Sequence, residues 1–345
     1  MKIKQTGIFF LLLFSYLSLF AQYTETINSN RPGFSQGAFS VGKQILQFEA
    51  GFGLGKEEHS LLNNETSAFI IDYEIRYGVW KEELEISLIG SYQSNSKTLL
   101  QSQSTYTERN FNANTLGAKY LFFDPYRKKA LEKPNLYSWK ANNGFHWKDL
   151  IPAMSIYAGA NFDQADNPLT HIPDTQLTLF NEQVETGMEI SPTVAIATQN
   201  NWESWVFVIN LIGERLTLDE KSYSYILTLT HTFNAKLAAF IENQGIKSDF
   251  YADQLFRGGA TYLINKNFQI DASILLNFKD TPSRLYGRFG VSYRFDMHKK
   301  DEYIEDKGKA GREKKKKEKN STKKKTKKTK SKRKNNLDIE DDGLN

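Results

Sequence analysis

Two stretches near the end of the chain decide the fold: Phe268-Gln-Ile-Asp-Ala-Ser-Ile-Leu-Leu-Asn-Phe278 and Leu285-Tyr-Gly-Arg-Phe-Gly-Val-Ser-Tyr-Arg-Phe295. In each stretch, apolar side chains alternate with polar or charged ones. This period of two indicates β-strands with one apolar and one polar face. Strands of about ten residues can cross a bilayer when they are tilted. The pair therefore belongs either to a membrane barrel, whose apolar face meets lipid, or to a soluble sandwich, whose apolar face meets a second sheet.

The same alternation recurs upstream and predicts ten further strands. In the first of them, Leu46, Phe48 and Phe52 share one face, and the opposite face carries Glu49 and three glycines. Glycines on the polar face leave space and allow the sheet to bend. The twelve predicted strands cover residues 44–55, 66–80, 83–93, 112–122, 152–162, 187–199, 202–213, 222–233, 236–244, 254–264, 268–278 and 285–295. An even number suits an all-β, antiparallel transmembrane barrel of the bacterial outer membrane.

The connections between the predicted strands alternate in length. Long polar connections are predicted at residues 56–65, 94–111, 163–186 and 243–253, and tight turns at Asn200-Asn201, Asn234-Ala235 and Asn265-Lys266-Asn267. Outer-membrane barrels have long external loops and short periplasmic turns, so both termini should lie in the periplasm. Residues 124–150 break this rule, because they are long, basic and contain Trp139 and Trp147. They could anchor the barrel at the membrane interface or fold into the barrel.

Four regions follow from composition. Residues 1–21 have a basic start, a short apolar centre and a small residue at Ala21, as in a secretory signal peptide. An uncleaved anchor is the alternative, but the apolar run is too short to span a bilayer. Residues 22–43 are polar, with a turn at Pro32-Gly33, and are predicted to be a periplasmic or plug segment before the barrel. The barrel itself is expected over residues 44–298.

The remaining region, residues 299–345, is a lysine-rich tail. Of the chain's 45 basic and 40 acidic residues, it holds 19 and 10, which leaves a mildly acidic body with 26 and 30. Its composition cannot form a core and predicts disorder. Lysine runs bind anionic partners. Behind an export signal these would be an anionic envelope polymer or inner-membrane lipid rather than nucleic acid, and a plain solvated tail is the alternative.

The residues that enzymes and metal sites need are scarce. The chain has no cysteine and 5 scattered histidines, without a zinc signature or a phosphate-binding loop. We therefore predict no enzyme, no metal and no cofactor. A barrel hydrolase would need a serine and a histidine on adjoining inward faces. His231 instead shares the apolar face of its strand with Leu227 and Leu229, so we expect it at the membrane interface.

The polar face is the candidate functional surface. Its predicted pore-lining residues are Glu49, Asp72, Glu74, Arg76, Glu83, Glu85, Lys119, Glu189, Arg257, Asp271, Arg288 and Arg294. Both signs of charge are present, so these residues could pair across strands and have a structural role, or they could contact a solute. A twelve-stranded lumen should be narrow and could be partly blocked by residues 23–43.

Several stretches resemble the outer-membrane transporter family of the "MetA-pathway of phenol degradation" type, and its Bacteroidetes branch in particular. The opening motif is Asn30, Arg31, Pro32, Gly33, Phe34 and Ser35, followed by Val41-Gly42-Lys43 and Gln47-Phe48-Glu49-Ala50-Gly51. Residues 134–140, 150–161 and 257–266 also look like this family, which often has Asp at the position of Asn30. The resemblance implies uptake of aromatic compounds, although it does not identify the solute. It also implies that Phe295, near the end of the last strand, is part of the assembly signal.

The main functional hypothesis is an outer-membrane channel or transporter for small solutes, hydrophobic and aromatic ones among them. Its expected partners are outer-membrane lipid, the solute and the outer-membrane assembly machinery. The alternative is a structural barrel that tethers the envelope through its basic tail. A hydrolase is the third hypothesis.

Overall fold

The computed structural model of the protein describes residues 26–127, 137, 147–164, 167, 169, 188–218, 221–248 and 251–298. The predicted signal peptide and basic tail lie outside these residues, as does most of the 124–150 connection. Within the described ranges, no helix is long and apolar enough to cross a membrane.

Within the described ranges, the elements with defined bounds are twelve strands and one short 3₁₀ helix, and residues 125–127 are also helical. The strands are β1 (Ile45–His59), β2 (Asn64–Gly78), β3 (Leu84–Leu99), β4 (Ser104–Phe123), β5 (Ala153–Gln164), β6 (Met188–Trp202), β7 (Trp205–Glu214), β8 (Ser222–Thr232), β9 (Leu237–Ser248), β10 (Ala252–Asn265), β11 (Phe268–Asn277) and β12 (Ser283–Asp296). A 3₁₀ helix covers Trp147–Leu150. Each predicted strand is found, with different ends.

The sheet closes on itself. Each strand pairs antiparallel with its neighbours in sequence, and β1 also pairs with β12, from Ile45 opposite Asp296 to Glu58 opposite Ser283. Closure leaves no unpaired strand edge along the paired region, as lipid requires. The predicted antiparallel barrel of about twelve strands is therefore confirmed.

The barrel has two ends, which we call the terminal rim and the distal rim. The terminal rim is the end where β1 begins and β12 finishes. It carries tight turns at 233–236 and 266–267, as predicted. The turn predicted at Asn200-Asn201 is wrong, because both residues continue β6 and the turn lies at Glu203-Ser204. The strand continues because Asn200 Nδ2 donates to the Leu150 carbonyl oxygen at 3.0 Å and the Asn201 amide donates to Tyr126 Oη at 2.7 Å.

At the distal rim, three predicted loops are mostly strand. The connections that remain are 60–63 between β1 and β2, 100–103 between β3 and β4, and 249–251 between β9 and β10. The sequence signal is lost here because polar side chains occupy both faces once a strand leaves the bilayer. The backbone still pairs, for example where Lys97 lies opposite Thr66 on one side and Tyr106 on the other.

The two faces of the sheet differ as the alternation predicted. The outer face exposes apolar side chains, such as Phe52 at 49%, Leu211 at 56% and Ile241 at 64% of their surface. The inner face of the same strands carries buried polar residues, such as Glu49 and Asn210. No second described sheet covers the outer face, so the soluble-sandwich alternative is wrong.

Aromatic residues gather on the outer face near the terminal rim. Tyr293 and Phe295 have ring centroids 4.5 Å apart, and Phe48 lies 5.7 Å from Phe295. His231 lies between Trp205 and Phe233, at centroid distances of 4.3 and 4.8 Å. This outer position agrees with the expectation that His231 lies at a membrane interface, where such aromatic belts occur.

Candidate functional site

Residues Ile27–Lys43, which we call the plug segment, run inside the barrel near the terminal rim. The Ile27 amide donates to the Lys266 carbonyl oxygen at 2.8 Å in the turn between β10 and β11. The Lys43 amide donates to Glu82 Oε2 at 3.0 Å, just before β3. Between these two points, the segment bonds to inward side chains of most of the strands. It therefore crosses the lumen as a separate layer instead of joining the sheet.

Arg31 of the plug segment is held on one wall of the barrel. Its Nε lies 3.2 Å from Asp271 Oδ2 and its Nη2 lies 3.1 Å from Asp271 Oδ1, a two-pronged pair in which the Asp271 side chain is fully buried. The guanidinium rests on Gly51 and Gly290, which face each other across β1 and β12. A Cβ at these glycines would lie 2.3 and 2.2 Å from guanidinium atoms. The two glycines therefore provide the space that Arg31 occupies.

The next residues surround the carboxylate of Glu242 on β9. The Phe34 amide donates to both Glu242 oxygens, at 3.2 and 3.0 Å, and the Ser35 amide donates to Oε2 at 3.2 Å. Successive backbone N–H groups of this kind form an anion-binding nest. Arg257 Nη1 also donates to Glu242 Oε1 at 2.8 Å. Gly33 is needed because a Cβ there would lie 2.5 Å from Glu242 Oε2.

Phe34 projects from the plug segment between two arginines. Its ring centroid lies 4.2 Å from Arg257 Cζ and 4.6 Å from Arg288 Cζ, within the range of cation–π attraction. The side chain is still partly exposed, and it lines the lumen cavity. Arg288 also pairs with Asp72.

The second half of the plug segment bonds to the opposite wall. Gln36 and Asn210 form a reciprocal pair, with N···O distances of 2.6 and 2.9 Å. Lys119 Nζ donates to the Gly37 carbonyl oxygen at 3.0 Å. The Val41 amide donates to Glu85 Oε2 at 2.8 Å. The segment is thus fastened by side chains around much of the barrel wall.

Five charged side chains form a cluster beside the plug segment. Arg76 lies 2.9 Å from Glu85, 3.3 Å from Glu49 and 3.7 Å from Glu74, and Lys119 lies 3.2 Å from Glu85. Four of these side chains are at most 2% exposed, whereas Glu74 is 14% exposed. Three carboxylates therefore face two cations, and the carboxylate most open to the lumen is Glu74. Asn30 Nδ2 donates to Glu74 Oε1 at 2.9 Å.

A cavity of about 640 Å³ lies in the lumen beside the plug segment. Asn30, Arg31 and Phe34 form part of its floor, and it extends to Tyr251 and Arg284 near the distal rim. Its wall across β3 to β9 carries the apolar side chains of Ile89, Tyr157, Ala195, Ile212, Ile226 and Ile246, with polar residues such as Asn161, Thr193, Ser224 and Gln244 between them. The charged residues of the lining lie on the floor (Arg31), on β1 and β2 (Glu49, Asp72 and Glu74) and toward the distal rim (Glu214, Arg215 and Arg284). The cavity thus combines a group of apolar side chains on one wall with charged groups at the floor and the distal edge.

The other half of the distal lumen is filled. Ala68, Ile70, Leu255, Leu275 and Tyr286 form a buried apolar cluster on the inner face. Tyr286 lies over Gly55, where a Cβ would be 2.1 Å from the ring, and its hydroxyl donates to Glu57. This cluster confines the cavity to one side of the lumen.

Tyr251 lies at the distal edge of the cavity, outside the strands. Its hydroxyl donates to Asp253, and its ring lies 5.0 Å from Lys279 Nζ and 5.1 Å from Arg284 Cζ. Burial raises the pKa of the Tyr251 phenol. The phenol therefore stays neutral at physiological pH.

The structure places the predicted pore-lining residues in different settings. Glu49, Asp72 and Glu74 line the cavity. Arg76, Glu85, Lys119, Arg257 and Asp271 are buried in the ion pairs described above. Arg294 Nη2 donates to Asn267 Oδ1 at 2.8 Å, Glu189 is the second residue of β6 near the distal rim, and Glu83 lies outside the strands with Arg127 at 2.7 Å.

Sequence reasoning missed three anchors of the plug segment: Glu242, Asn210 and Gln199. Gln199 Oε1 accepts from the Ala38 amide at 3.0 Å. All three occupy inward positions by strict alternation, which is the signal that could have found them. The signal is weak on β9 because Phe240 shares the inner face with Glu242. In the described part of the chain, no group of three or more His, Cys, Asp or Glu residues could hold a metal ion.

Several solved structures are similar to this fold. The COG4313 outer-membrane channel from Pseudomonas putida F1 has a TM-score of 0.47 at 8% identity, covering 78% of this chain and 100% of that chain. The translocator domain of the autotransporter NalP from Neisseria meningitidis has a TM-score of 0.42 at 9% identity, covering 74% and 89%. The CymD monoaromatic hydrocarbon channel has a TM-score of 0.38 at 9% identity, covering 75% and 90%. No curated protein sequence matches the chain.

The family comparison concerns most of the sequence. A closed antiparallel barrel with an apolar outer belt is the architecture of outer-membrane proteins, so the predicted outer-membrane location agrees with the fold. The family model described as "Putative MetA-pathway of phenol degradation" matches residues 29–295, from the plug segment to the last strand. The more specific Bacteroidetes assignment stays a prediction. The chain belongs to the family described as "Putative MetA-pathway of phenol degradation".

Proposed function

We propose that this barrel is an outer-membrane channel for small apolar solutes, aromatic ones among them. The observation that carries the proposal is the cavity of about 640 Å³ beside the plug segment, whose wall carries four isoleucines at inward positions. Small-molecule sites are typically concave, about 300–1,000 Å³ in volume, and mostly apolar with a few placed polar groups. The lumen cavity meets each of these criteria.

The wall chemistry favours apolar solutes over sugars. Ile89, Ile212, Ile226 and Ile246 turn inward at positions where a water-filled barrel would carry polar side chains. A ring compound would displace water from these side chains and gain the hydrophobic contribution of about 25 cal/mol per Å² of buried apolar surface. Tyr157 adds a flat aromatic surface to the same wall.

In this proposal the plug segment is the barrier that a solute must pass. Apart from the backbone bond from Ile27 to Lys266, the bonds described above between the segment and the barrel involve side chains and are not strand pairing, so the segment can shift without opening the sheet. The distal rim would face the outside and the terminal rim the periplasm, as the even strand number and short terminal turns favour. A solute would enter the cavity from the distal side.

A space-filling substitution tests the proposal. Ala195→Trp places a large ring in the cavity, whereas Val194→Trp on the outer face of the same strand faces lipid and is the matched control. In cells lacking the natural protein, uptake of low concentrations of radiolabelled 2-phenylethanol should fall about tenfold with Ala195→Trp and stay unchanged with Val194→Trp, because overpacking closes the cavity. Uptake that is the same with and without the wild-type protein would contradict the proposal.

The roles of enzyme and of envelope tether gain no support from the described residues. His231 lies between Trp205 and Phe233 on the outer face. The tether depends on residues 299–345, which lie outside the described residues, and stays a prediction.

A further inference from the structure

We infer that the lumen cavity selects apolar solutes that carry a hydrogen-bond donor, a hydroxyl or an ammonium group, and that Glu74 is the residue that selects them. This inference rests on the proposed function, because it concerns which solutes the same cavity accepts. It adds an opposing expectation, that solutes of equal size with a carboxylate head are disfavoured.

The first observation is the distribution of contacts on Glu74. Asn30 Nδ2 at 2.9 Å and Arg76 Nε at 3.7 Å both contact Oε1. Among the described residues, none donates a hydrogen bond to Glu74 Oε2. The side chain is 14% exposed, and the space it faces is the cavity. An ionised carboxylate can accept several hydrogen bonds, so Oε2 presents free acceptor capacity to a solute.

The second observation is the charge balance of the lumen. Asp271 pairs with Arg31, Glu242 with Arg257, and Asp72 with Arg288, one to one. The cluster of Glu49, Glu74 and Glu85 has only Arg76 and Lys119, and therefore carries one excess negative charge. Glu49 and Glu85 are covered by the plug segment and by their cations. The most exposed carboxylate of this cluster is therefore Glu74, on the cavity side.

The third observation is that the arginines lining the cavity already have acidic partners. The arginines that line the cavity are each engaged: Arg31 with Asp271, Arg284 with Glu57 at 3.1 Å, and Arg215 with Asp163 at 3.3 Å. A carboxylate solute would have to compete with these acidic partners and approach the excess negative charge. A donor head instead places its N–H or O–H against Glu74 while its ring contacts the isoleucines of the cavity wall. Charge-assisted hydrogen bonds of this kind are stronger than neutral ones.

The test compares three probes of nearly equal size: 2-phenylethylammonium, 2-phenylethanol and phenylacetate. Binding to the purified full-length protein in a neutral detergent is followed by ligand-observed NMR against a detergent blank. We expect the ammonium to bind about tenfold more tightly than phenylacetate, with the alcohol between them. Glu74→Gln keeps an acceptor for Asn30 but removes the charge, and should bring the two ions to within about twofold of each other.

Glu65→Gln is the matched control, because Glu65 lies on the same strand but pairs with Lys56 at 3.3 Å in an exposed contact away from the cavity. It should leave the order of the probes unchanged. The inference would be overturned if the two ions bound equally to the wild-type protein, or if the preference were unchanged in Glu74→Gln. In either case, binding of 2-phenylethanol would still support the proposed function. Absence of binding by all three probes would overturn both. If Glu74→Gln does not fold, the wild-type order decides alone.

Discussion

Arg31 is the residue on which the attachment of the plug segment depends most directly. Its guanidinium makes two parallel bonds to one carboxylate, a geometry that arginine can form and lysine cannot. The side chain of its partner, Asp271, is fully buried. Removing one member of a buried pair leaves an uncompensated charge, which is more costly than the pair itself is favourable.

Arg31→Ala should therefore loosen the plug segment. We expect a loss of about 3 kcal/mol in the free energy of unfolding, measured by urea titration in lipid vesicles. We also expect faster permeation of small polar solutes in vesicle swelling, because the segment no longer has its central bond to β11. Arg31→Ala combined with Asp271→Asn should recover part of the stability. Unchanged swelling in Arg31→Ala would show that this bond does not hold the barrier.

Gly51 should show a dependence on Arg31. Gly51→Ala puts a Cβ where the guanidinium lies, 2.3 Å from Nη1, and should cost about 1–3 kcal/mol through overpacking. The same change made in the Arg31→Ala protein should cost much less, which a double-mutant cycle of urea titrations would measure. Gly287→Ala is the control, because no atom lies within 4 Å of a Cβ there. An equal loss of unfolding free energy from Gly51→Ala in both backgrounds would contradict the inference that Gly51 provides space for the Arg31 guanidinium.

At the scale of elements, alternation predicted the strands well and their ends poorly. Inside the bilayer one face must be apolar, so β11 and β12 could be read directly from the sequence. Beyond the bilayer that constraint ends, and Ser94–Leu99 continues β3 although its residues look like a loop. The partners of the plug segment could not be predicted from the sequence either, because they are distant along the chain. Ser29 and Ser292, for example, are 263 positions apart. Leu255 and Tyr286 are apolar residues on the inner face, and such residues weaken the alternation of apolar and polar side chains in the sequence.

The extension of β3 can be tested with trypsin. Lys97 pairs with strands on both sides, so the bond after it should resist cleavage in the folded barrel. A protease needs an extended segment free to enter its active site, which a central strand cannot supply. Mass spectrometry of the fragments should detect this cut only after unfolding by denaturant. Rapid cleavage after Lys97 in the folded protein would support the loop that the sequence suggested.

At the scale of the whole molecule, the lumen is a compartment closed mainly from one side. The plug segment covers the terminal end, the apolar cluster around Tyr286 fills one side, and the cavity occupies the rest. The general location of the polar residues followed from sequence, but their division into buried pairs and cavity lining did not. That division depends on where seventeen consecutive residues, Ile27–Lys43, lie inside the barrel.

The orientation can be measured because the chain has no cysteine. Ser102→Cys places a thiol in the 100–103 connection at the distal rim, and Lys266→Cys places one in the 266–267 turn at the terminal rim. A membrane-impermeant maleimide should label Ser102→Cys on intact cells and Lys266→Cys only after the outer membrane is permeabilised. The reverse pattern would invert the proposed direction of entry.

The position of Arg31 has a consequence for biogenesis. Gly51 belongs to the first strand and Gly290 to the last, so the guanidinium lies across the seam where the two ends of the sheet meet. That seam exists only once the final strand has arrived. A partly assembled sheet therefore lacks part of the binding site for Arg31. Pairing of β1 with β12 and binding of Arg31 should occur together, so that the closed barrel and the plug segment stabilise each other.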